Sequence, residues 1–436
     1  MMTTADVAAM PQQTSLKRNW KTVVLASLGG SLEIYDFIIF GVFAHEIAKL
    51  FFPASDPLVS MIKTFSVFAI GYLSRPLGGI MLGSLGDRYG RRIVFLVSIL
   101  AMSGSTIAIG LIPSYATIGI LAPSLLVLFR LSQGFFLAGE LPCSITYVVE
   151  EMPQRASFVS GLVIFCLSSG VLVATLLSLL LHATLTPAAV ATYGWRIAFI
   201  FGGFIGLVSY WLRTSLEESQ EFQRLKSHKI KQPFRKIFTA YPTQVLVGVA
   251  VAGIVNVSNS VLFVLLPSYL TSVAHYSPTL ASEGQNAGIA AMSVSLLCFA
   301  WLCDRIPSRY WHRLGSAIML LGGYPFYRAL AAHQIAPIHA FVLVGLAGGF
   351  VNGTYAYLLA DLFPTNVRFS GVALSLNLAT VIFTGLTPLV VTQLMRASGL
   401  AASPGIYIAG VACIALLAGL ALKRFGGQIR DSHQTA

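Results

Sequence analysis

The chain has 436 residues, 56% of them hydrophobic and 10% charged, with a mean hydropathy of +0.77. A soluble domain carries about 25% charged residues, so this much apolar surface excludes a water-soluble core and makes lipid the solvent. The net charge of +12 lies between apolar runs rather than on a soluble face, which points away from nucleic acid and toward a bilayer.

Residues 1–20 are polar and include Lys17 and Arg18. The apolar run behind them has no small-residue cleavage site and carries acids, so it reads as a cytoplasmic tail and a first span rather than a signal peptide. A spanning helix needs about 20 mostly apolar residues. Twelve segments qualify: 21–46, 60–86, 92–112, 118–149, 156–182, 194–213, 242–271, 284–303, 313–333, 336–361, 369–395 and 404–423. An even number with a basic N-terminal tail predicts both termini inside the cell membrane (the inner membrane of a bacterium). On the predicted cytoplasmic side fall 21 of the 28 lysines and arginines, the asymmetry that orients such proteins.

The longest polar stretch, 214–241, separates two six-helix halves, 21–213 and 242–424, and a tail of 425–436 follows. Leu216, Phe222 and Leu225 suggest a short amphipathic helix on the membrane surface within it. The halves repeat one another weakly. Asp87-Arg88 recurs as Asp304-Arg305, 217 residues on, and Glu150, Pro153 and Gly161 recur as Asp361, Pro364 and Gly371, offset by 211, 211 and 210. Parallel repeats of this kind place a binding site at their interface near the bilayer midplane. The expected fold is therefore all-α, twelve spans in two pseudo-symmetric bundles.

Charge inside a span costs several kcal/mol and is normally paired or turned to a cavity. Counting about 1.5 Å per residue puts Glu33 and Asp36 of the first span, Arg75 of the second and Glu140 of the fourth roughly 15–22 Å from the cytoplasmic end. Glu33 and Asp36, three apart, share a helical face. The four are expected to form either a proton-coupling cluster or a static brace; for Arg75, Pro76 and the glycines after it favour the brace. Arg130 lies nearer the outer end of the fourth span and either holds a substrate carboxylate or snorkels outward. In the second half, Asn256, Asn259, Tyr269, Asn352, Tyr355, Tyr357 and Asn377 either meet a solute or bond neighbouring helices. At the cytoplasmic helix ends, Asp87, Arg88, Arg91, Arg92, Glu150, Arg155, Asp304, Arg305, Asp361 and Arg368 are candidates for breakable ion pairs closing an inner gate.

The run Gly83-Ser-Leu85-Gly-Asp87-Arg88-Tyr-Gly90-Arg91-Arg92 resembles the conserved loop of the major facilitator superfamily. Further segments resemble its metabolite:proton symporters. They are Gly30…Glu33-Ile-Tyr35-Asp36-Phe37, Tyr72-Leu-Ser-Arg75-Pro76-Leu-Gly78-Gly79, Arg130-Leu-Ser-Gln133-Gly134 with Gly139-Glu140, Gly194-Trp195-Arg196-Ile197-Ala-Phe199, and Asp361-Leu-Phe363-Pro364-Thr365-Asn-Val-Arg368-Phe-Ser370-Gly371. Ile34 stands where the pattern has Trp and Ala138 where it has Gly; Leu141-Pro142 follows the acid, and the second loop has decayed to Asp304-Arg305-Ile-Pro-Ser-Arg309. These departures lie near the expected cavity.

The resemblance implies import of a small carboxylate-bearing metabolite, an organic acid or a zwitterion such as proline or betaine, by proton symport. The resemblance ties the Arg130 motif to proton movement or helix contact; alternatively Tyr35, Arg130 and Gln133 join the second-half residues as substrate contacts, and the chain is expected to act as a monomer. The alternative on the same fold is a proton-driven exporter. An enzyme is not expected: eight histidines and five cysteines show no ligand spacing, so no metal, catalytic set or cofactor is anticipated.

Overall fold

The computed structural model of the chain describes residues 12–53, 63–64, 66–67, 70–218, 223 and 233–429, except for the side chains of 12–19, 28–29, 32–33, 37, 234, 272 and 278–279. The side chain of Glu33 and the surface helix expected at Phe222 and Leu225 lie outside that set.

The described residues form helices and connections, with no strand among them. The long helices are α1 (Gln12–Val42), α2 (Arg75–Tyr89), α3 (Arg91–Leu111), α4 (Leu121–Glu151), α5 (Ala156–Thr184), α6 (Trp195–Arg213), α7 (Pro242–Ser260), α8 (Pro278–Cys303), α9 (Ser308–Ala331), α10 (Pro337–Asp361), α11 (Arg368–Ala379) and α12 (Ser403–Phe425). Among the described residues nine spans are long and apolar enough to cross a membrane by length and composition. α1, α2 and α9 pack into the same two bundles. α7 and α11 continue through wide π turns, Val261–Leu265 and Thr380–Gly385, into Leu266–Ser272 and Leu386–Ser398. Such turns leave carbonyls without their helical donors; Gln285 of α8 donates to the freed Leu262 and Phe263 carbonyls at 3.4 and 3.1 Å.

Proline at the first turn of α7, α8, α10 and α12 starts each helix where no amide donor is needed. Gly90, at φ 122°, makes the turn between α2 and α3 in a backbone region closed to other residues. The bundles are α1–α6 and α7–α12. They meet along α2 with α11, α5 with α8 and α10, and α4 with α10 and α11. Close approach at the first seam follows from a glycine stripe. A Cβ on Gly79 would lie 2.7 Å from Asn377 Nδ2, on Gly83 2.9 Å from Ser370 Cα, and on Gly86 against the Phe369 ring.

The α2–α3 turn, the α4–α5 junction, the α8–α9 turn and the segment after α12 share one end of the molecule, the basic end, where hydrogen bonds tie them together.

A cavity between the halves and the charges around it

A cavity of about 330 Å³ lies between the bundles. The N-terminal half contributes Ile34, Ile38, Tyr72, Arg75, Leu137, Leu141, Pro142 and Ser168; the C-terminal half contributes Asn256, Asn259, Ser260, Phe263, Asn352, Tyr355, Asn377 and Thr384. Arg75 is the charged side chain among the described lining residues, and its guanidinium stands 4.7 Å from the Tyr72 ring centre. Amides and hydroxyls supply the remaining polarity. Asn259 and Asn352 bond reciprocally at 3.4 and 3.1 Å, and Thr384 donates to Asn256 at 2.8 Å. Thr384 belongs to the π turn of α11, and Asn259 stands just before that of α7.

Of the expected layer, Glu33 lies outside the described side chains; Asp36, Arg75 and Glu140 do not meet but occupy separate places. Asp36, 5% exposed, pairs with Arg130 at 3.5 Å. Arg130 also donates to Gln133 at 3.0 Å and lies 3.7 Å over the Phe40 ring, and Gln133 in turn donates to Thr106 at 2.9 Å. Arg130 is thus buried at 2% exposure and does not snorkel. Glu140, ten residues further along α4 and so about 15 Å away, pairs with Arg213 at the end of α6. Arg213 also donates to the Ala26 carbonyl at 2.8 Å, so this pair ties α1, α4 and α6 together. Arg213 was missed as a partner because a basic residue at a helix end reads as topology charge. Its side chain instead turns inward, over Phe95.

Among the substrate candidates, Asn256, Asn352, Tyr355 and Asn377 reach the cavity. Tyr35 does not: its hydroxyl donates to the Ala198 carbonyl at 2.7 Å, and its ring fills the space left by Gly202. Arg130 and Gln133 belong to the Asp36 network. Tyr269 stacks edge-on with Tyr327 at 5.1 Å, away from the lining.

At the basic end, contacts cross between the halves. Glu150 accepts from Arg91 at 3.0 Å and from Arg368 of the other half at 3.3 Å, while Arg91 also donates to the Thr365 carbonyl at 2.8 Å. Asp87 lies 3.6 Å from Arg91 and accepts the Ser370 backbone N–H at 2.8 Å, at the start of α11. Asp304 accepts those of Ser157 and Phe158 at 3.1 and 3.4 Å, at the start of α5. An acid at a helix N-terminus meets unpaired donors and the positive end of the dipole. In sequence the two acids stand at the far ends of α2 and α8, so which helix each caps is decided by the packing.

Arg92, Arg305 and Asp361 make contacts within their own half. Arg92 donates to the Thr214 carbonyl at 2.8 Å, and Arg305 stacks on Trp301 at 3.9 Å. Arg88 is exposed beside Tyr89. Arg155 is exposed at the start of α5, in the other half from Asp304. Asp361 accepts the backbone N–H groups of Gly427 and Ile429 at 2.7 and 3.0 Å.

The Major Facilitator Superfamily model matches residues 26–374. Over 420 residues the chain is 32% identical to the proline/betaine transporter of Escherichia coli (strain K12), covering 92% of this chain and 83% of that one. Over 424 residues it is 32% identical to the glycine betaine/proline/ectoine/pipecolic acid transporter OusA of Dickeya dadantii (strain 3937), with the same coverage. In fold it resembles the proton:xylose symporter XylE bound to 6-bromo-6-deoxy-D-glucose. The TM-score is 0.74 at 16% identity, over 93% of this chain and 95% of that one.

Proposed function

The chain belongs to the major facilitator superfamily, a family of transporters, and from that premise we propose that it imports a zwitterionic, carboxylate-bearing metabolite such as proline or betaine by proton symport. The observation that carries the reading is the composition of the cavity. One arginine, Arg75, suits a carboxylate as a charge-assisted donor. The aromatic rings of Tyr355 and Phe263 line the same cavity and suit a quaternary or secondary ammonium. Asn256, Asn352 and Asn377 offer both donors and acceptors for orientation.

The basic end faces the cytoplasm in this reading, in keeping with the positive-inside rule. Asp87, Arg91, Glu150, Asp304 and Arg368 hold that end shut while the cavity takes up solute from the opposite side. The halves 21–213 and 242–424 rock about the cavity as one monomer in the inner membrane. Asp36 carries the proton: protonation cancels its attraction for Arg130 and frees α4 to shift against α1, and deprotonation on the cytoplasmic side restores the pair.

Purified protein in liposomes with an outside-acid pH gradient tests the proposal. Concentrative uptake of labelled proline or glycine betaine, abolished by a protonophore, is the expected result. Uptake indifferent to the gradient would overturn symport, and uptake driven only by an inside-acid gradient would make the protein an exporter.

A further inference from the structure

Pro142 sits inside α4 and lines the cavity. A proline has no amide hydrogen, so the carbonyl four residues earlier, that of Ala138, loses its helical donor. A buried carbonyl left without a partner is costly, and here the partner comes from the other half. Asn377 of α11 donates from Nδ2 to the Ala138 carbonyl at 2.9 Å, and from the same nitrogen to its own Ala373 carbonyl at 2.7 Å. Two carbonyl acceptors on one end of the amide fix that end as the nitrogen. Gly79 of α2 makes the approach possible, since a Cβ there would lie 2.7 Å from Nδ2. Asn377 is 3% exposed and also lines the cavity.

The geometry points to Asn377 and Pro142 as a two-residue latch: a carbonyl freed by a proline in one half, held by an amide of the other at the cavity wall. Separating the halves at the basic end breaks this bond. A solute that engages Asn377 competes for the same amide, so the residue that senses occupancy also helps hold the halves together. Asn377 is in this sense a positioning residue for the conformational step. The inference rests on the alternating-access reading above, but its test needs no substrate.

The readout is amide hydrogen exchange of the full-length protein in lipid nanodiscs, followed at Ser370 and at Ser157 and Phe158. These amides are hydrogen-bonded across the seam by Asp87 and Asp304, that of Ser370 being buried, and are released when the basic end opens. Asn377→Leu removes the donor at similar volume, and Pro142→Ala returns a helical donor to the Ala138 carbonyl without weakening α4. One net hydrogen bond corresponds to about a fivefold change in opening, so each variant is expected to speed exchange by about that factor. The double variant is expected to exchange no faster than the quicker single one.

Unchanged exchange in Pro142→Ala, which restores a backbone donor inside α4, overturns the latch. So does full additivity in the double variant. An equal acceleration by Asn352→Leu, on the same cavity wall but bonded within its own half, overturns it too. Proline and betaine uptake by the same proteins bears only on the transport reading, so the two can fail separately.

Discussion

Asp304, at the end of α8, accepts the backbone N–H of Ser157 at 3.1 Å and so joins the C-terminal half to the first turn of α5. The pseudo-symmetric bond of Asp87 to Ser370 joins α2 to α11 at 2.8 Å. Each carboxylate caps a helix that belongs to the opposite bundle, so the basic end is closed twice by the same device.

That arrangement gives a pH dependence with a definite sign. Desolvation raises the Asp304 carboxyl from 3.8 to about 6, against the lowering effects of the Phe158 and Ser157 amides and of Arg155. Opening the basic end returns the carboxyl to water and toward its ordinary value. The closed form therefore binds the proton more tightly, and closure is favoured as the pH on that side falls through about 6. Exchange of labelled for unlabelled solute, with equal pH on both sides of the vesicle, is expected to slow as the pH falls through this range, with Asp304→Asn flattening the profile. A slowing that persists in that variant would assign the titration to another group.

Asp36 and Arg130 are expected to separate coupling from binding. Asp36→Asn should abolish accumulation driven by a pH gradient while sparing exchange of labelled for unlabelled solute across the membrane. Retained accumulation in this variant would remove Asp36 from the proton path.

Glu140 makes a contrasting prediction. Taking away one member of a buried pair leaves the other uncompensated, at a cost of about 3–5 kcal/mol. Glu140→Gln, which strands Arg213 against the Ala26 carbonyl, is expected to lower the melting temperature of the solubilised protein by several degrees. The surviving fraction should still accumulate solute against a pH gradient. A stable variant with lost coupling would give Glu140 the role assigned here to Asp36.

Arg75 is tested by concentration dependence. A hydrogen bond to a charged group is worth about 1.5–3 kcal/mol, so Arg75→Gln is expected to raise the half-saturating solute concentration at least tenfold. Tyr355→Phe should change it by a few-fold at most. Equal half-saturation in wild type and Arg75→Gln would move the carboxylate site elsewhere in the cavity.

The helices were legible from the chain because the bilayer reads local properties: about 20 apolar residues make a span, and the side on which arginines accumulate orients it. Some ends shifted little, while the first helix begins at Gln12 rather than 21 and the eighth at Pro278 rather than 284. The fourth segment, expected at 118–149, is Leu121–Glu151, and the last, expected at 404–423, is Ser403–Phe425. Asn256, Asn352, Tyr355 and Asn377 were also findable, since a polar side chain in an apolar run needs a partner or a cavity. The π turns were not, because they depend on which neighbour satisfies the freed carbonyls, as Gln285 does for α7.

By itself the sequence determined the solvent, the helices and the repeat of Asp87-Arg88 in Asp304-Arg305, and it flagged Asp36 and Glu140 as side chains in need of partners. Only the tertiary structure decided the pairs. Asp36 and Arg130 are 94 residues apart, Glu140 and Arg213 73, and Glu150 and Arg368 218. Depth along each helix follows from counting residues, but the partner follows from how each helix is rotated about its axis. A turn of 100° per residue is enough to send a carboxylate at the right depth to the wrong neighbour. That rotation is set by packing, by Gly79, Gly83 and Gly86 letting α2 close on α11 and by Gly202 taking the Tyr35 ring, and no linear pattern carries it.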